Sequence, residues 1–163
     1  MEINKLTTFI FNDQEGHIII KDARLIFKNF SGMKQKFNEE GKRNFNVFVD
    51  TPTDVRELQD RGFNVRILRP RDEDELPNHV LKVNLSYNSR RPPKIYLVCN
   101  GVKTLLDEET VCEMDNAYIQ KADIVVTPYK KDDLSNTTAW VSSMNIYIEP
   151  DPLDLLDIDS PEE

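Results

Sequence analysis

His79-Val80-Leu81-Lys82-Val83-Asn84-Leu85-Ser86-Tyr87 is the stretch on which the fold turns. Leu81, Val83, Leu85 and Tyr87 alternate with Val80, Lys82, Asn84 and Ser86, a period of two that gives a strand one apolar and one largely polar face. β-Branched and aromatic runs recur on both sides of it, at 17–20, 23–30, 43–50, 64–69, 94–99, 123–129 and 138–149, separated by Gly, Pro, Asn and Asp. This predicts an all-β or β-dominated α+β domain. Within 43–50 the alternation is less clean, because Phe48 falls among Asn44 and Asn46; it is expected in the core. Two short helices interrupt the strands. Thr53 is the expected N-cap of one that runs through Asp54, Val55, Leu58 and Gln59 to a stop at Gly62, and Asp115 or Asn116 starts a second through Ile119 and Ala122.

A chain of 163 residues with 39% hydrophobic content fits one domain, assigned to 1–149, followed by an acidic tail at 150–163. The formal net charge of -8 argues against a nucleic-acid ligand until its distribution is followed. From Glu149 onward there are seven acids and no base, which leaves 22 acids against 21 bases in the remainder. Such a body can carry a basic face. In the tail, Leu153, Leu155, Leu156 and Ile158 stand among aspartates, the composition of a disordered acidic-hydrophobic peptide suited to basic grooves on partners or to the protein's own basic face. Two cysteines, Cys99 and Cys112, are too few for a disulfide framework. With no apolar signal segment or span, the expected setting is cytoplasmic, with no membrane partner.

Holding a single strand with little sequence preference requires cations along the phosphates and aromatic faces on which bases stack. Cations and rings interleave at three places. The long loop after residue 30 carries Lys34, Lys36, Phe37 and Lys42, flanked by Lys28, Phe30 and Arg43; Arg66, Arg69 and Arg71 leave the fourth run; and Tyr87, Arg90, Arg91, Lys94 and Tyr96 surround Pro92-Pro93, whose rings keep the backbone extended. Phe30, Phe45 and Trp140 are expected to fill the core instead. No catalytic site is expected, and no cofactor or metal. His17 and His79 lie in separate strands. Glu40-Gly41-Lys42 and Asp72-Glu73-Asp74-Glu75 have the residue types of a metal-dependent nuclease but sit in loops, where carboxylate geometry is poorly fixed. No P-loop, nucleophile elbow, dinucleotide fingerprint or zinc spacing is present.

The segments Ala23-Arg24-Leu25-Ile26-Phe27-Lys28-Asn29-Phe30-Ser31-Gly32, Lys36-Phe37-Asn38 with Gly41-Lys42-Arg43-Asn44-Phe45-Asn46-Val47-Phe48-Val49-Asp50, Leu68-Arg69-Pro70-Arg71-Asp72-Glu73-Asp74, Ser86-Tyr87 with Arg91-Pro92-Pro93-Lys94-Ile95, and Lys103-Thr104-Leu105-Leu106-Asp107 form a recognisable set. Through them, and over most of residues 23–149, the chain resembles the tailed-phage single-stranded-DNA-binding protein family of oligonucleotide-binding-fold (OB-fold) type. The resemblance implies a decorated barrel of about five strands, gripping single-stranded DNA with the loops between strands one and two and between four and five. It also implies service in phage DNA replication or recombination, with the tail recruiting partner proteins and self-association left open. The alternative is a small acidic phage protein that inhibits or redirects a host enzyme.

Overall fold

The computed structural model describes residues 6–36, 38–69, 72, 74–130, 132 and 136–149. Its organiser is the segment 17–29, in which β2 (His17–Ala23) and β3 (Leu25–Asn29) are separated by Arg24 alone. Asp22 and Phe27 both adopt φ 55°, a left-handed backbone that bends the chain. On one side of the bend β2 pairs antiparallel with β1 (Thr8–Asn12) and β9 (Ile119–Tyr129); on the other, β3 pairs with β4 (Arg43–Val49). The circuit continues from β9 to β10 (Thr138–Ile148), then in parallel to β6 (Asn78–Leu85), and back antiparallel to β4. The order is therefore β1-β2-β9-β10-β6-β4-β3.

The expected decorated barrel of about five strands takes the form of a larger sheet that does not close. The sheet has ten strands among the described residues and its path is open, because the end strands β1 and β3 do not pair with each other. What joins the wings is the chain itself, braced where the Phe48 N–H donates to the Arg24 carbonyl at 3.1 Å. β5 (Val65–Leu68) adds to β6, and a hairpin of β7 (Lys94–Cys99) and β8 (Val102–Leu106) runs parallel to β10 through β7. The β-dominated class stands.

Burial follows the pleat. Leu81, Val83 and Leu85 of β6 point into the core while Lys82 is exposed, and Ala122, Ile124 and Val126 do the same along β9. Phe30 and Phe45 are fully buried and stack at 5.3 Å, together with Ile18, Ile20, Ile95 and Ile146. Helix α1 (Pro52–Asp60) starts earlier than expected. Thr51, not Thr53, is the N-cap, its hydroxyl accepting from the Asp54 N–H at 3.2 Å, and Pro52 suits the first turn, where its missing N–H costs nothing. The second expected helix is replaced by a 3₁₀ turn at Val111–Asp115, and Ile119–Ala122 already belong to β9.

Candidate nucleic-acid interface

One edge of β10 is shared by two strands. Ala139 and Trp140 pair with Val83 and Asn84 of β6, whereas Ser143 to Tyr147 pair with Lys94 to Val98 of β7. Between these ladders β6 and β7 diverge, and the loop 86–93 leaves the sheet at the fork. A groove of about 1490 Å³ opens there. Tyr87, Arg90, Arg91 and Lys94 form one wall, Leu105 to Glu108 another, and Thr127 to Tyr129 with Trp140 to Ser142 complete the lining. Arg90, Arg91, Lys94 and Tyr129 are exposed and Trp140 is half-buried, so the groove offers both cations and ring surface. The Trp140 indole N–H donates to Thr138 Oγ1 at 3.0 Å, which fixes the ring. Asp107 and Glu108 set two carboxylates among the cations; hydrogen bonds from the Thr110 backbone and hydroxyl hold the Asp107 carboxyl below its ordinary range.

Of the residues singled out from sequence, Tyr87, Arg90, Arg91 and Lys94 come together at this groove. Others serve packing contacts. Lys28 donates to the carbonyls of Met114 and Ala117 at 2.9 and 2.6 Å, and burial pushes its ammonium pKa down against the pull of Asp115. Arg43 donates to the Phe30 and Glu108 carbonyls at 2.7 and 3.3 Å and lies 5.4 Å from the Tyr87 ring. The Tyr87 hydroxyl is sealed from solvent without a partner, and burial pushes its pKa up to about 12. Tyr96 lies on β7 beneath the Lys103 ammonium at 4.2 Å. Lys34, Lys36 and Lys42 are exposed in the loop 30–42, where Lys42 pairs with Glu39 at 3.3 Å, and Arg69 is exposed after β5. Phe37 and Arg71 lie outside the described residues.

Sequence reasoning missed three rings. Trp140, expected in the core, lines the groove, as does Tyr129, and the run Tyr129-Lys130-Lys131 carries the same basic-aromatic signal used elsewhere. Phe27 is 53% exposed because the register shift between Ile26 and Asn29 interrupts the alternation that would have buried it. The Arg66 guanidinium lies 5.9 Å from its ring. A second, smaller hollow of about 220 Å³ is lined by Asn64, Arg66, Lys82, Asn84, Asn136 and Thr138 among others. Among the described residues no group of three or more His, Cys, Asp or Glu is placed to hold a metal ion. No helix is long and apolar enough to cross a membrane.

Comparison with curated proteins finds no match. Among solved structures, the single-stranded DNA-binding protein from bacteriophage Enc34 in complex with ssDNA is similar at 12% identity, with 85% of this chain and 90% of that chain covered and a TM-score of 0.53. The same Enc34 protein is also matched at 14% identity, with 85% and 84% covered and a TM-score of 0.49. At such identity the first of these likenesses establishes a shared fold. Membership is carried by the sequence itself: residues 10–162 match the phage ssDNA-binding domain, and the chain belongs to that family.

Proposed function

We propose that the protein binds single-stranded DNA in the groove at the β6–β7 fork, without catalysis. The observation that carries this reading is the meeting, in one groove, of exposed Arg90, Arg91 and Lys94 with the rings of Tyr129 and Trp140. Cations release counterions from the phosphates, and rings stack bases of any identity. Lys28, Arg43 and Tyr87 act as braces that shape the walls; Lys34, Lys36, Lys42 and Arg69 supply outlying positive charge. Such a binder would serve phage DNA replication or recombination in the host cytoplasm, with the acidic tail recruiting protein partners.

Fluorescence anisotropy with an oligothymidine at two salt concentrations tests this. The variant R90A/R91A/K94A should stay folded, bind more weakly at low salt, and show a salt slope flatter by roughly 0.7 per lost phosphate contact. Trp140→Ala should lose roughly 1–3 kcal/mol of affinity with its salt slope intact. An unchanged slope in the folded triple variant removes these cations from the site. Absence of any DNA binding by the wild type would favour an inhibitor of a host enzyme.

A further inference from the structure

A second hollow lies next to Trp140. Trp140 stands beside Asn84 in the parallel β10–β6 register, and Asn84 lines the second hollow. Thr138, two residues before Trp140 and therefore on the same face of β10, lines that hollow too, and its hydroxyl accepts from the Trp140 indole. The two hollows have no lining residue in common, but Trp140 of the first stands next to Asn84 and Thr138 of the second on one face of the sheet, so a flexible polymer lying in the first reaches the second by crossing from β10 to β6, a step of about 4.8 Å.

Their chemistry differs. The groove presents rings, whose faces accept any base. Among the described residues no ring lines the hollow of about 220 Å³; Asn64, Asn84 and Asn136 supply amides there, Thr138 a hydroxyl, and Arg66 and Lys82 positive charge. A side-chain amide presents a donor and an acceptor side by side, the complement of a base edge rather than a base face. Asn84 is oriented, since its Nδ2 donates to the Ala139 carbonyl at 3.4 Å, and its Oδ1 remains as an acceptor. Asn64 and Asn136 are exposed.

We propose that this second hollow takes one base of the bound strand by its edge, through the amides of Asn64, Asn84 and Asn136, while Arg66 and Lys82 hold the adjoining phosphate. The protein then carries a base preference on top of the sequence-tolerant stacking in the groove. This rests on the single-stranded-DNA reading above.

The test compares oligothymidine, oligocytidine and oligoadenosine of equal length by anisotropy, for wild type, N64A/N136A and R66A/K82A, with thermal melts alongside. In N64A/N136A the affinity ratio between best and worst base should shrink by about threefold to tenfold, the worth of one or two neutral hydrogen bonds, while the salt slope stays that of wild type. R66A/K82A should weaken all three oligomers and flatten the slope. Unchanged base ratios in folded N64A/N136A, or an unchanged slope in folded R66A/K82A, would overturn the assignment while leaving the groove reading intact. If the wild type binds none of the oligomers, it is the single-stranded-DNA reading that falls.

Discussion

Tyr87 belongs to the groove wall, but its polar end is turned out of reach of both solvent and any partner. A buried hydroxyl without a hydrogen bond costs stability, whereas the ring, beneath the Arg43 guanidinium, packs at the base of the 86–93 loop. Burial favours the neutral phenol, so its pKa rises from 10.0 to about 12 on folding. The sign follows from linkage: the stability tied to the neutral phenol is fully present below the unfolded value near 10 and is lost as pH climbs toward 12. Tyr87→Phe keeps the ring and removes the titration. Its melting temperature should equal or exceed that of wild type at neutral pH and should fall less steeply between about pH 10 and 12. Lys28, whose pKa is lowered, contributes in the opposite direction over the alkaline range, but equally in both proteins, so their difference isolates the phenol. Parallel melting curves would show that Tyr87 ionises as readily folded as unfolded. Oligothymidine affinity should barely change, because the exposed cations and the Trp140 ring are untouched.

Among the elements, the exit of α1 is tied closely to the entry of β10. Gly62 follows the helix at φ +94°, and a Cβ there would meet Thr137 Oγ1 at 2.6 Å. Thr137 in turn donates its N–H to the Gly62 carbonyl at 2.9 Å and its hydroxyl to the Arg61 carbonyl at 2.8 Å, clamping the entry of β10 beside the second hollow. Gly101 sits at φ +76° in the β7–β8 turn, where a Cβ meets nothing within 4 Å. Gly101→Ala should therefore cost only the left-handed backbone, about 1–2 kcal/mol, whereas Gly62→Ala should cost more and also disturb Thr137 and Thr138. Denaturant melts of the two variants rank them, and the reverse order would mean that Thr137 moves aside freely. The same elements show what was legible beforehand. The alternation around Leu81, Val83 and Leu85 placed β6, and the Pro92-Pro93 loop flanked by cations placed one groove wall. The sequence reading includes no strand at β8 although Asn100-Gly101 is a tight-turn dipeptide, and it predicts a helix at the start of β9 although Ala122, Ile124 and Val126 alternate. Tyr129 has a local signal in Tyr129-Lys130-Lys131, but Trp140 has none, because the groove exists only where β6 and β7 part along β10, a contact between residues far apart in sequence.

Over the whole molecule, charge is unevenly distributed. The net -8 sits awkwardly on a protein that grips phosphates, and the imbalance is concentrated after Glu149. Deleting residues 150–163 removes six acids and leaves 23 against 21 bases. The fold should survive, since β10 completes its pairing with β9 and β7 by Ile148, and a segment of the tail's composition buries too little apolar surface to add a packed layer. Within the groove, Asp107 and Glu108 remain to oppose Arg90, Arg91 and Lys94, so the truncated protein keeps its local balance and loses only the surplus. Affinity for oligothymidine should then rise, most at low salt, because exposed charges further apart than about 10 Å are largely screened at 0.1 M. A tail that also competes for the cations of the groove adds to the effect and steepens the salt slope of the truncation relative to the full chain, since displaced phosphate contacts become available again. Repulsion alone raises affinity without new contacts, so the slope separates the two origins. If the tail recruits a replication or recombination partner, as proposed above, the same deletion should abolish its capture in a pull-down from infected cells. Weaker binding by a truncation that melts like the full chain would contradict both forms of the idea, and would assign the tail instead to the DNA site or to contacts between copies of the chain.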